Sequence, residues 1–243
     1  GFSQITITSA DMPAQGDTLR ISNALVDATV LANYQRGGAN QTWNFDTLRP
    51  TSQTVREFVS SSSTPYNQVP TNRIGILFAD TLSLGPNSVN DVYNFANSTA
   101  TDFSVDYRAA SIPIGLPFLP VFIMQNSYTD KDEIFQFPLD YQDRDSSTFN
   151  FVFNNVFPPI YYRSSGYRVN EVDGWGSITT PYGTFDALRV VTNTVSLDSI
   201  SFNGQNIAIP SHLREYQWIA NGVGIPVMKV FGLVTAGLFV PTS

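Results

Sequence analysis

The chain has 243 residues, 13 basic against 20 acidic for a formal charge of −7, no cysteine and a single histidine, His212. That balance excludes nucleic acid as a partner, because nothing is present to displace the counterions of a polyanion. The missing cysteine excludes thiol nucleophiles, Cys-ligated zinc or iron–sulfur centres and disulfides. Only 14% of residues are charged, against about a quarter in ordinary globular domains, and 13% are aromatic. Solubility therefore rests on Ser, Thr, Asn and Gln, a surface that suits an extracellular protein.

Taken in chain order, Gly1 to Gln4 shows no initiator Met and no charged or apolar leader, as expected of a chain whose export signal has been removed. Period-2 alternation predicts strands at 5–8, 18–21, 55–59 and 74–78, with one weak helical stretch at 22–33 whose β-branched Val26, Thr29 and Val30 argue against it. Ser60 to Pro65 reads as a surface loop inside one domain, 1–243, with a possible subdivision at 110/111. Further strands are predicted at 102–107, 133–137, 149–153, 161–172, 175–180, 185–202, 207–209, 213–220 and 226–234. Asp173-Gly174, Pro181-Tyr182-Gly183, Asn203-Gly204, Asn221 to Gly224 and Thr235 to Gly237 are read as the turns of a long C-terminal meander. The expected fold is all-β, an antiparallel two-sheet sandwich, with a partly open barrel as the alternative.

Three segments carry a family resemblance. Gly174-Trp-Gly-Ser-Ile-Thr-Thr-Pro-Tyr-Gly-Thr-Phe-Asp-Ala-Leu-Arg-Val190 is the first, and the stretch from Ile7 to Arg20 followed by Gly38 to Asp46 is the second. The third is Tyr216-Gln-Trp-Ile-Ala-Asn-Gly-Val-Gly-Ile-Pro-Val227. Together they resemble secreted β-rich proteins of unknown function from Bacteroidota, many exported by the type IX system. The resemblance implies secretion or display on the outer cell surface, and no activity travels with it. Such proteins often carry a C-terminal sorting domain of Ig-like type, which is not read in this chain and is expected to have been removed or replaced by another means of retention.

Chemical candidates are few. Asp140, Asp143 and Asp145 cluster in a polar turn, where oxygen ligands suit a hard cation such as calcium, although the spacing matches no EF-hand and a solvated turn beside Arg144 explains them equally. His212 could serve a serine nucleophile, but adjacent Ser211 would point to the opposite strand face, and no Gly-x-Ser-x-Gly elbow occurs. Paired carboxylates for glycoside hydrolysis could come from Asp130, Asp132, Glu133, Glu171 or Glu215, yet the sequence brings no pair together. The expectation is a non-enzyme without a cofactor.

Binding has more material. Trp43, Trp175, Trp218 and Tyr182 could stack on sugar rings or line an apolar cavity, unless they pack between sheets. The run 112–124 holds three prolines with Phe118 and Phe122, is too short and broken to cross a bilayer, and is expected off the central ladder, capping the sandwich or exposed as a contact surface. The apolar run 226–241 could add a strand to a second copy. Asn40-Gln-Thr42 and Asn97-Ser-Thr99 are sequons, relevant only in a host that glycosylates them. The expected partner is a surface glycan or another cell-surface component, or a copy of the chain itself; the alternatives are a carrier of an apolar ligand and a hydrolase.

Overall fold

The structure, a computed structural model, describes residues 4–84, 87–202 and 204–242. The turn residue Asn203 and the first three residues lie outside that range. A 3-10 turn, Ser9–Asp11, precedes β1 (Thr18–Ala24), a short helix α1 (Ala28–Asn33), β2 (Gly38–Asn44) and β3 (Pro50–Ser60). There follow β4 (Ile74–Leu84), β5 (Asn87–Ser98), β6 (Asp102–Leu116), β7 (Leu119–Gln136), β8 (Arg144–Asn155) and β9 (Ile160–Thr180). The chain ends in β10 (Gly183–Phe202), β11 (Gln205–Ile219), β12 (Met228–Thr235) and β13 (Leu238–Pro241).

The all-β antiparallel class is borne out, and its layers are halves of one hydrogen-bonded path, β1-β3-β4-β5-β6-β7-β8-β9-β10-β11-β12-β13. Among the described residues β1 and β13 do not pair with each other, so no barrel closes. The fold-over occurs at β7, which pairs with β6 on both sides of a register shift at residues 128–131 but makes only two Cα pairings with β8, Tyr128↔Phe151 and Asp130↔Asn150. Arg108 on β6 then donates to the Tyr162 hydroxyl on β9. Three strand spacings would separate them by about 14 Å in a flat sheet, so direct contact requires the halves to face each other.

Hydrophobic side chains fill the interior between those halves. Val89, Val92, Ala110, Ile112, Met124, Phe151, Ile160 and Phe202 form one cluster toward one end. Ile7, Phe135, Leu139, Val172, Leu188, Val190 and Ile219 form another, alongside Phe58, Ile74, Ala96, Phe103 and Val105 from the N-terminal half. Each half also buries part of its outer face under a chain excursion. Residues 61–73 bring Tyr66 and Val69 over Phe95 and Ala109, and residues 26–48 bring Val30, Tyr34, Trp43 and Phe45 over Ile178, Ala187, Trp218 and Val230.

β9 corrects the expected turn at Asp173-Gly174. The strand runs through it as 21 residues, because Asp173 is an extra residue opposite the Arg189/Val190 step, a β-bulge and not a reversal. One inserted residue flips the alternation: Val172 faces inward before it, whereas Trp175 faces inward and Ile178 outward after it. The change of phase at Asp173 is what resembled a strand break in the sequence. Its two glycines serve a close approach. β2 lies parallel to β9 with Gly38 opposite Gly174 and Gln41 opposite Gly176, and a Cβ on Gly176, whose φ is +155°, would sit 2.0 Å from the Gln41 carbonyl oxygen.

Other expectations are also adjusted. The 112–124 run is not off the ladder: Pro113 lies opposite Val121 and Leu116 opposite Leu119 in the β6–β7 hairpin. It tolerates proline because, among the described residues, the paired register of β6 with β5 ends at Ser111 and that of β7 with β8 at Tyr128, leaving the outer edges of the hairpin without a ladder partner there. Residues 5–8 make a single bridge, Ile7↔Leu139, and not a strand. The helix shortens to six residues capped by Asp27, whose carboxylate accepts from Val30 N, and the preceding residues join β1. The segments at 207–209 and 213–220 merge into β11. Replacing Gly176 with alanine is expected to cost about 3 kcal/mol through overpacking and backbone strain; urea denaturation measures it, and an unchanged midpoint would refute the close-approach account.

Candidate ligand-binding face

The excursion of residues 26–48 covers the outer face of β9 only beyond the bulge, where β2 pairs with residues 174–179. Along residues 160–171 the same edge of β9 is taken by β8. This leaves a four-stranded outer face, β8 to β11, whose rows are set by register. Asn154, Tyr161, Ser201 and Asn206 stand side by side in one row, and Val152, Arg163, Ser199 and Ala208 in the next. Asn150, Ser165, Leu197 and Pro210 form the third row, and Thr148, the exposed Tyr167, Val195 and His212 the fourth. Tyr161, Ser199, Ser201, Asn206 and Ala208, with the strand edges at Ile200 and Ile207, line an open depression of about 300 Å3.

A ring face, hydroxyls and an amide on a strand surface offer stacking and neutral hydrogen bonding together. Arg163 is the only charged side chain in those rows, and its Nε donates to Asn150 Oδ1 at 3.1 Å. Tyr162, the neighbour of Tyr161 on β9, points the other way into the interior and fixes the platform from beneath. Its hydroxyl accepts from Arg108 Nη1 and donates to Asp198 Oδ1 at 3.3 Å. The Arg108 guanidinium also lies 5.8 to 5.9 Å from the ring centroids of Tyr128, Phe151 and Tyr162. Burial pushes the Tyr128 phenol up to about 12, with Arg108 acting in the opposite direction, and burial likewise raises Tyr162.

The residues singled out in the sequence fall in separate places. Trp43 and Trp218 are completely buried, edge to face at 5.8 Å, with Trp43 Nε1 donating to Arg36 O at 2.7 Å. They are core and present no surface to a ligand. Trp175 is half-buried against the inner cluster of Val172 and Leu188, and Phe122 packs within the Ile112 and Met124 cluster, 6.0 Å from Phe153. Tyr182 is 59% exposed at the β9–β10 turn, bonded to Ser22 Oγ and Gln53 Nε2 of the facing half. Phe118 is 74% exposed at the tip of the β6–β7 hairpin.

Among the acidic candidates, Asp140 accepts from Thr6 Oγ1 at 2.6 Å, and its backbone N–H donates to Asp143 Oδ2 at 2.7 Å. Asp145 turns away to accept from Asn170 Nδ2 at 3.0 Å, and burial raises its pKa above the ordinary carboxylate value. Among the described residues no group of three or more His, Cys, Asp or Glu side chains is placed to hold a metal ion. His212 lies mid-strand opposite Val195, adjacent to Ser211 opposite Ser196.

No family model, curated protein or solved structure matches this chain. The platform therefore stands on geometry alone. Ser199, Ser201 and Asn206 escaped the sequence reading, although Ser-Ile-Ser at 199–201 and Asn-Ile-Ala at 206–208 show the polar–apolar alternation of a strand with one wet face. Replacing Arg108 with Met is expected to lower stability by roughly 2 kcal/mol, from lost hydrogen bonds and ring contacts. Urea denaturation checks this, with far-UV circular dichroism unchanged.

Proposed function

We propose that this is a secreted or cell-surface binding protein without enzymatic activity, and that the outer face of β8–β11 contacts carbohydrate at the cell surface. The observation that carries the reading is the open depression beside Tyr161, a largely apolar surface that also includes Ser199, Ser201 and Asn206. A pyranose presents one apolar face and a rim of hydroxyls, which such a surface matches without charge. The composition supports the same reading: a chain poor in charge and rich in neutral polar residues is suited to neutral polyols. The resemblance to exported Bacteroidota proteins supports an extracellular compartment. Retention on insoluble polysaccharides, with cellulose, chitin and peptidoglycan as probes, is the test. Tyr161→Ala is expected to weaken retention about tenfold, the loss of one stacked ring. Failure of all three to retain the unaltered protein, or equal retention of the variant, refutes the assignment.

Self-assembly is a second reading with its own observation. Leu213, Leu233 and Val240 stand in register across β11, β12 and β13, and all three are exposed, as is Leu238. The outer edge of β13 carries no neighbouring strand among the described residues, and an unpaired edge beside an apolar stripe is a template for another strand. On this reading sedimentation detects oligomers at micromolar concentration, and Leu233→Lys with Val240→Lys converts them to monomer. A monomeric unaltered protein refutes it.

A further inference from the structure

The up-and-down path brings the β4–β5, β6–β7, β8–β9 and β10–β11 connections to one end of the molecule. Their convergence is direct: Val89, Ile112, Met124, Ile160 and Phe202 share one buried cluster, and Asn87 meets Ile200, Phe202, Gln205 and Ile207. Residues 81–90, 109–129, 146–162 and 199–213 contain no Asp, Glu, Lys or Arg. Charge resumes on every one of these hairpins just outside those limits, at Asp80 and Asp91, Arg108 and Asp130, Asp145 and Arg163, and Asp198 and Arg214. The ends of these four hairpins thus carry no charged residue.

The same end projects its apolar residues outward. Phe118 on one hairpin tip is 74% exposed, and on the next Val156 is 90% and Phe157 66% exposed. Contact between Phe122 and Phe153, a few residues back along the two hairpins, keeps the tips neighbours. The three side chains present about 400 Å2 of apolar surface, half of the roughly 800 Å2 that each partner contributes to a stable protein interface. They sit on protruding tips and not on a flat face. Protruding apolar tips over a charge-free collar suit a surface that yields to them.

We propose that this end docks on lipid, with Phe118, Val156 and Phe157 entering the interfacial region of a bilayer. The depth is limited to the tips, because the outer rows behind them carry Asn154, Ser201 and Asn206, which hydrocarbon would not solvate. The attraction is apolar, and a net charge of −7 on the remainder of the molecule gives anionic lipid no advantage.

Flotation with phosphatidylcholine vesicles tests it, using the whole chain. The unaltered protein is expected to float with the vesicles. Phe118→Asp combined with Val156→Asp is expected to weaken partitioning roughly tenfold or more, while Leu25→Asp, at an equally exposed apolar site away from this end, leaves it unchanged. Thermal melts confirm that the variants are folded, as expected for such exposed positions. Absence of vesicle association, or its loss in Leu25→Asp and not in the double variant, overturns the proposal. So does lipid-independent dimerisation abolished by the double variant, which would assign the end to a second copy of the chain.

Discussion

The architecture depends on one inserted residue. Asp173 bulges out of β9, and its carboxylate takes both short contacts from Arg189 Nη1, at 2.8 and 2.7 Å, while Arg189 Nη2 donates to the Tyr34 carbonyl. The guanidinium is completely buried and lies 4.9 Å from the Tyr216 ring and 5.7 Å from Trp218. Burial pushes the Asp173 carboxyl up and Arg189 down, so desolvation opposes both charges, and their mutual Coulomb attraction and hydrogen bonds act in the opposite direction. The bulge, the ion pair and the seat of the segment after α1 are therefore one device. By reversing the facing of β9, it turns Ile178 outward to meet Trp43 and creates a second core on the back of the sheet.

Two further arginines join strands across the interior between the halves. Arg168 makes paired bonds of 3.0 Å to Asp132 on β7, and Arg108 joins β6 to Tyr162 on β9. On the side of Arg168 away from Tyr162, Asn170, Thr192 and Gln217 link through side-chain hydrogen bonds of 2.8 and 3.2 Å. This polar seam crosses the fold-over at β7, where backbone pairing with β8 is sparse, and holds the halves in one alignment where apolar packing alone would permit sliding.

Most of the strand pattern was legible from period-2 alternation, because a half-buried strand must alternate; β10 and β12 lie where it predicted, and β6 and β8 run well beyond the predicted 102–107 and 149–153. Misreadings share a physical origin. A bulge looks like a turn, since both break the alternation, and Asp173-Gly174 has the composition of either. β2 and β5 escaped because Gly38 to Asn44 holds Gly38, Asn40 and Asn44 and Asn87 to Ser98 is rich in Asn and Ser, residues that favour turns unless tertiary pairing overrides them. The prolines at 113, 117 and 120 argued against a ladder, whereas a two-stranded hairpin offers edges where a missing N–H costs nothing. For the candidate face, Tyr161 was visible as an aromatic, but its neighbours Ser201 and Asn206 come from other strands, and only register places them together.

Pairing in this sheet is almost wholly between sequence neighbours, and β2 is the exception. Gly38 to Asn44 is synthesised long before Gly174 to Thr179, the stretch it joins in parallel. Every hairpin can close as soon as its second strand exists, whereas Trp43 has no place to go until β9, β10 and β11 are assembled. An early segment is thus the keystone of the late half, and the emerging chain must carry an unshielded tryptophan and phenylalanine through most of its own production.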